Sequence, residues 1–333
     1  MDESNTMRIV ILGKTGAGKS NLANTLLGET LFSTNHSPNS GTSECQAATK
    51  SVNGRSIKLI DTPGFFDTDR SEEELKPEIV RCITECAPGP HAFLIVLKVE
   101  KFTEQEQAVI NKINQYFSEE AFKYATFVFT HGDQLPEGQT IKDFVDQNKS
   151  MSDLVKKCGS RCHVVDNKYW NRNSEDEYRS NQVQVEKILQ SIEEMVVENR
   201  GGCYTNEMLQ AVEEMRKQEE ERIRRSSGNM SEEEIKKEAQ QNTVTKLSVR
   251  LAGFGAGALL GAFFGVVVMV GLVVIALRSI RDFQGLARTA ATAAAAFGAE
   301  AGGAAAAGAA AGGAAAGGAA AGGAAGAAAG GVD

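Results

Sequence analysis

Gly13-Lys-Thr-Gly-Ala-Gly-Lys19-Ser20 is the stretch from which the rest of this chain can be read. It fits the pattern G-x-x-x-x-G-K-[ST] in full, follows the apolar run 8–12 and opens a stretch of helical spacing at 19–27. A strand that passes through a glycine-rich loop into a helix is the setting in which this pattern binds phosphate. Glycines let the backbone wrap an anion closely, so that amide N–H groups and the helix N-terminus point at it. Gly13, Lys14, Thr15, Gly16, Ala17, Gly18, Lys19, Ser20 and Asn21 are therefore the expected phosphate-binding residues. Lys19 is expected against the β- and γ-phosphates, where it also serves catalysis, and the Ser20 hydroxyl on Mg2+.

Three further motifs lie downstream at the ends of apolar runs. In Ile60-Asp61-Thr-Pro-Gly64, Asp61 is the expected metal-side carboxylate, acting through water, and Gly64 the backbone sensor of the γ-phosphate. Thr130-His-Gly-Asp133 ends another run, in the place of the base-reading motif of GTPases. A carboxylate there accepts from N1–H and the 2-amino group of guanine, and adenine offers neither donor, so Asp133 is the residue expected to choose GTP over ATP. Thr130 and His131 stand where Asn and Lys are usual. His131 either lays its ring along the base or is a solvated loop histidine. Asn167, in Val165-Asp-Asn-Lys168, either holds the base or is a turn asparagine.

The apolar runs at 8–12, 56–60, 92–97, 125–129 and 162–165 predict five buried strands, mostly parallel. Helical spacing at 19–27, 75–86, 103–117, 141–158 and 181–199 alternates with them, so the fold class is α/β, a P-loop NTPase with a mostly parallel sheet flanked by helices. Lys and Arg number 35 against 43 Asp and Glu, a net charge of −8, which lacks the basic footprint of a nucleic-acid binder. Six cysteines without a Cys-x-x-Cys pair do not resemble a secreted disulfide framework and point to a reducing compartment. The spacings Cys82-x-x-x-Cys86 and Cys158-x-x-x-Cys162 are not common zinc spacings. Four scattered histidines without a matched nucleophile give no support to a hydrolase triad.

Composition divides the chain further. Residues 1–6 read as a disordered N-terminus without signal-peptide features, and 7–200 as the nucleotide-binding domain. From 201 to 246 close opposite-sign pairs predict a charged helical or coiled-coil connector, with Ser231 and Glu234 as a capping box; a partner-binding or lipid-facing role is the alternative. Residues 251–277 are 27 positions without a charge, enough helix to cross a hydrocarbon core. Glycines 253, 257, 261 and 265 would let two such helices pack closely. The expectation is a transmembrane or membrane-inserted segment, with a hairpin bent near the glycines or a buried soluble helix as alternatives. The span 290–333 is an Ala/Gly-rich low-complexity tail, expected to be flexible or weakly helical.

These motifs, with Ala87-Pro-Gly-Pro-His91-Ala-Phe-Leu-Ile-Val96 and Tyr204-Thr-Asn-Glu-Met208, resemble the GTPases of immunity-associated proteins, the GIMAP family, relatives of septins. The resemblance covers about 7–225. It implies that Ser40-Gly-Thr-Ser-Glu-Cys-Gln46 is switch I, with Thr42 on Mg2+ and the γ-phosphate in a catalytic role, and that Pro88-Gly-Pro-His91 lies near switch II. It also implies GTP-dependent dimerisation or oligomerisation across the nucleotide face and, frequently, a C-terminal membrane anchor.

Two departures bear on hydrolysis. Phe65 and Phe66 follow Gly64, so no glutamine is placed to orient water, and the loop where some members carry an arginine reads Val99-Glu-Lys101-Phe-Thr103. The expectation is a GTP- and Mg2+-binding switch that hydrolyses GTP slowly on the cytoplasmic face of an intracellular membrane. The alternative is a scaffold that assembles on nucleotide binding with negligible hydrolysis.

Overall fold

A computed structural model of the chain describes residues 6–34, 44–67, 70–170, 176–226 and 229–278. The expected N-terminal disorder at 1–5, most of switch I including Thr42, and the Ala/Gly tail lie outside the described residues.

The centre is a sheet in the order β2-β3-β1-β4-β5-β6, formed by Gln46–Val52, Arg55–Asp61, Met7–Leu12, Ala92–Lys98, Ala125–Thr130 and Cys162–Val164 respectively. All pairings are parallel except that of β2 with β3. The side-chain period of two sends Val10, Leu12, Phe93, Ile95 and Phe127 to one face and Ile9, Ile11, Leu94, Val96 and Val128 to the other. Both faces are covered, which is why the inner strands read as unbroken apolar runs.

The second set of residues packs under α1 (Lys19–Leu27) and α7 (Asn181–Glu198). The first set meets α2 (Glu72–Cys86), α3 (Glu104–Tyr116), α4 (Glu119–Lys123), α5 (Ile141–Asp146) and α6 (Lys149–Lys157). All five expected strands form. β2 was not expected: Gln-Ala-Ala-Thr-Lys-Ser-Val is polar, lies at the sheet edge and joins β3 through Asn53-Gly54, both at positive φ. The helix expected over 141–158 breaks at Gln147, and Asn148 caps the second half by accepting from the Met151 N–H.

The Pro88-Gly-Pro-His91 box does not lie near switch II, the segment that follows Gly64. It precedes β4, beside the start of β1, at the opposite end of the sheet from the phosphate loop. The Arg8 N–H donates to His91 Nδ1 at 3.0 Å, and the Tyr204 N–H donates to the Pro90 carbonyl at 2.8 Å. A Cβ on Gly89 would overlap the Tyr204 carbonyl, so the box docks the chain that enters α8.

α8 (Glu207–Ser226) and α9 (Glu232–Arg250) fold back on each other, with Ile223, Ile235 and Ala239 buried where they turn. The expected capping box of Ser231 and Glu234 is present. The expected continuous apolar helix over 251–277 is not. Among the described residues no single helix is long and apolar enough to cross a membrane. Instead α10 (Ala256–Phe263) and α11 (Val267–Arg278) are bent by 104°.

Two features produce the bend. Gly265 takes a left-handed φ of 89°, and a Cβ there would strike Ser118 Oγ and Tyr204 Oη. Phe264 stacks on Phe117 with centroids 4.2 Å apart, while Phe263 and Phe264 both meet Phe93 edge-on. The Ser118 N–H donates to the Phe264 carbonyl at 3.0 Å and Tyr204 Oη to the Phe263 carbonyl at 3.1 Å. The sheet, α2, α3 and α8 together receive this bent apolar pair. Gly257 and Gly261 pack against Tyr116 and Met269 of the same chain, so their spacing serves internal packing.

Candidate nucleotide site

The phosphate loop connects β1 to α1 at the C-terminal edge of the sheet. Gly13 lies against β4, where a Cβ would come within 2.5 Å of the Val96 carbonyl oxygen. Gly18, at φ 88°, precedes α1, and a Cβ there would press on Thr130 and Asn167. Lys19 is buried, and its ammonium donates to the Lys14 carbonyl at 3.0 Å, folded back along the loop. Burial pulls its pKa below the ordinary lysine value against the opposing fields of Asp61 and Asp67, and Arg70 adds to the lowering. A buried cation at the start of a helix is an anion site by charge and by dipole.

The Lys14 side chain pairs with Glu106 and Glu100, which leaves its backbone in the phosphate loop. The Thr15 N–H donates to Asp67 Oδ1 at 2.8 Å, and the Asp67 carboxylate lies against Gly64. Sequence reasoning passed over Asp67, because no spacing rule marks a residue three positions beyond Asp-Thr-Pro-Gly.

Ser20 and Asp61 come together as expected: Ser20 Oγ donates to Asp61 Oδ2 at 2.5 Å. Asp61 is fully buried at the end of β3, its Oδ1 has no hydrogen-bond partner, and burial holds its pKa above the usual carboxylate value. An orphaned buried carboxylate oxygen beside a hydroxyl fits a divalent cation. No group of three His, Cys, Asp or Glu side chains that could hold a metal occurs among the described residues. The Ser20–Asp61 pair suits Mg2+, which takes one or two protein ligands and completes its shell with phosphate and water.

At the base end, Thr130 Oγ1 bonds the Ala17 carbonyl at 2.8 Å, tying β5 to the phosphate loop. His131 is exposed and left-handed at φ 60°, with Nδ1 3.0 Å from Thr130 Oγ1. Asp133 lies in a short 3-10 helix, Gly132–Gln134, and its carboxylate accepts from Gln134 Nε2 at 2.8 Å. Asn167 Oδ1 accepts from Thr25 Oγ1 at 3.0 Å, so this residue braces α1 from beneath. Trp170 packs its ring on Gly132, where a Cβ would come within 2.5 Å.

Asp166 is a site residue that sequence reasoning missed. Its buried carboxylate accepts from the N–H groups of Lys168, Tyr169 and Asp133 and so shapes the whole turn. Burial opposes its charge, but the bonds from Asp133 and these amides hold its pKa below the ordinary value. Asp133 moves the other way, raised by burial and by the neighbouring Asp166. The available signal was Asp-Asn directly after an apolar run, a turn-forming pair. Lys101 lines a cleft of about 480 Å3 with Phe102, Gln134, Phe144 and Met151.

The sequence profile of the AIG1 family matches residues 7–224. Immune-associated nucleotide-binding protein 7 of Arabidopsis thaliana is 32% identical over 235 residues, covering 68% of this chain and 72% of that protein. GTPase IMAP family member 8 of Mus musculus is 31% identical over 171 residues, 50% of this chain and 25% of that protein. This chain thus spans well under two thirds of some relatives. Among solved structures, Toc33 from Arabidopsis thaliana in complex with GDP and Mg2+ aligns with a TM-score of 0.45 at 22% identity, over 59% of this chain and 86% of that one. The match at 7–224 spans the phosphate loop, Asp61, Gly64 and the Asp133 turn, and the chain belongs to the AIG1 family.

Proposed function

We propose that the protein binds GTP and GDP with Mg2+ and hydrolyses GTP slowly to GDP and phosphate, as a switch that associates through its nucleotide face. The observation that carries this reading is the joining of Ser20 to Asp61 beside the buried Lys19, with Asp61 Oδ1 left without a hydrogen-bond partner. Mg2+, when bound, neutralises phosphate charge and screens the charge that develops on hydrolysis. The loop amides and Lys19 orient the phosphates, Asp133 reads the base, and Thr130 keeps the two ends in register. Membrane attachment through the bent apolar pair, on the cytoplasmic face of an intracellular membrane, belongs to the same reading. Its support is the exposed apolar side of α11, formed by Val267, Val268 and Ile275.

A second reading, a GTP-dependent scaffold with negligible hydrolysis, is favoured by Phe65 and Phe66. Both are buried, so neither residue after Gly64 offers a side chain to an attacking water. Single-turnover phosphate release at several protein concentrations separates the two. A switch releases phosphate faster as it associates, whereas a scaffold associates without release.

A further inference from the structure

Three groups that converge on the terminal phosphate of a nucleotide in a phosphate loop are present: a loop N–H, the loop lysine and the glycine of Asp-Thr-Pro-Gly. In this structure one carboxylate stands among all three. Asp67 Oδ1 accepts from the Thr15 N–H at 2.8 Å. Its carboxyl group is folded over Gly64, so that a Cβ on that glycine would fall within 2.5 Å of every carboxyl atom. It is also close enough to Lys19 to favour that ammonium's charge.

The turn that carries Asp67 is held by other bonds. Its N–H donates to the Gly64 carbonyl at 3.1 Å, and Lys112 of α3 donates to the carbonyls of Phe66 and Asp67 at 3.2 and 2.6 Å. Phe65 and Phe66 anchor the same turn in the core. The side chain is thus presented to the phosphate loop by a fixed backbone, and its carboxylate supplies negative charge where a γ-phosphate would supply it.

We propose that Asp67 competes with the γ-phosphate for this corner of the site and so sets the preference between GDP and GTP. GDP leaves the bond from Thr15 to Asp67 in place. GTP must displace the carboxylate, because two anions cannot share one amide and repel each other at contact distance. The displacement moves the residue three positions after Gly64, which gives switch II a direct response to the third phosphate. The proposal rests on the guanine-nucleotide reading above and adds to it which residue discriminates between the two nucleotides.

The test is the affinity of the full chain, with Mg2+, for GDP and for a non-hydrolysable GTP analogue, in wild type, Asp67→Asn and Asp67→Ser. Asp67 is a half-buried loop residue, and GDP binding itself reports that each variant is folded. A hydrogen bond to a charged group is strong enough that losing the competition should favour the GTP analogue over GDP by roughly tenfold, with GDP affinity unchanged. An unchanged ratio, or a weaker grip on the GTP analogue, overturns the proposal. A fall in single-turnover hydrolysis at an unchanged ratio also overturns it, and would make Asp67 a water-orienting residue instead. Failure of the wild type to bind either nucleotide would sink the underlying nucleotide reading, and is distinguishable because no variant is needed to see it.

Discussion

Ser20 Oγ donates to Asp61 Oδ2 at 2.5 Å, while the other oxygen of the same carboxylate is buried with no hydrogen-bond partner. The first strand's loop and the third strand's end thus meet at one polar point beside the buried Lys19. Asp61→Asn should weaken Mg2+-dependent GTP binding by about 10- to 100-fold, the range typical for groups that orient a metal's ligands. Binding in EDTA should change little. Titrations with and without Mg2+ check this, and equal loss in both would make Asp61 a purely structural residue.

Lys19→Ala should abolish binding of either nucleotide, since a buried ammonium is the main side-chain counter-ion of the loop. Removing a buried amine that bonds the Lys14 carbonyl also tests the fold, so thermal unfolding must accompany the titration. Unchanged affinity in a folded variant contradicts the phosphate-loop assignment.

Asp133→Asn should relax guanine selectivity, with xanthine nucleotides gaining as guanine nucleotides lose. Asp166→Asn should have a broader effect, because that carboxylate holds the turn through three backbone amides rather than facing a ligand. Competition with guanine, xanthine and adenine nucleotides distinguishes the two: a change in selectivity belongs to position 133 and a general loss to position 166.

His91 and His163 give a pH prediction. Burial, aided by Arg8 and by Lys187 respectively, lowers both pKa values from 6.5 to about 4. The unfolded chain takes up protons below 6.5 before the folded one does, so both rings contribute fully above that pH and lose their contribution as pH falls towards 4. An upper bound is about 3 kcal/mol per ring. Urea unfolding at pH 7 and pH 5 should show lower stability at the acid value, and His91→Asn, which keeps an acceptor for the Arg8 N–H, should reduce the difference.

Truncation at residue 250 should destabilise the domain besides removing the proposed membrane attachment. Phe93, Phe117 and Tyr204 would lose Phe263 and Phe264 and become exposed. Phe264→Ala alone should cost about 3 to 5 kcal/mol by denaturant unfolding, as full burial of a phenylalanine implies. A change below about 1 kcal/mol would mean that α10 and α11 are not held where the structure places them.

Much of this was legible in the sequence because the phosphate loop, Asp61 and Asp133 follow strands whose apolar runs are unmistakable. The remainder was hidden for specific reasons. β2 is an edge strand with polar and small residues, so only Asn53-Gly54 marked its hairpin. The run 251–277 has the composition of a membrane span, and its charge and hydropathy are silent about the aromatic surface that receives Phe263 and Phe264. The bonds of Asp67 and Asp166 arise where turns meet, and no periodicity reports such meetings.

The decisive measurement is titration of the full chain with fluorescent GDP, GTP and ATP in the presence of Mg2+, with oligomeric size followed in the same samples. Selective binding of the guanine nucleotides, with larger species forming on GTP alone, is the expected result. Equal binding of ATP, or no binding of any nucleotide by the folded protein, would contradict it.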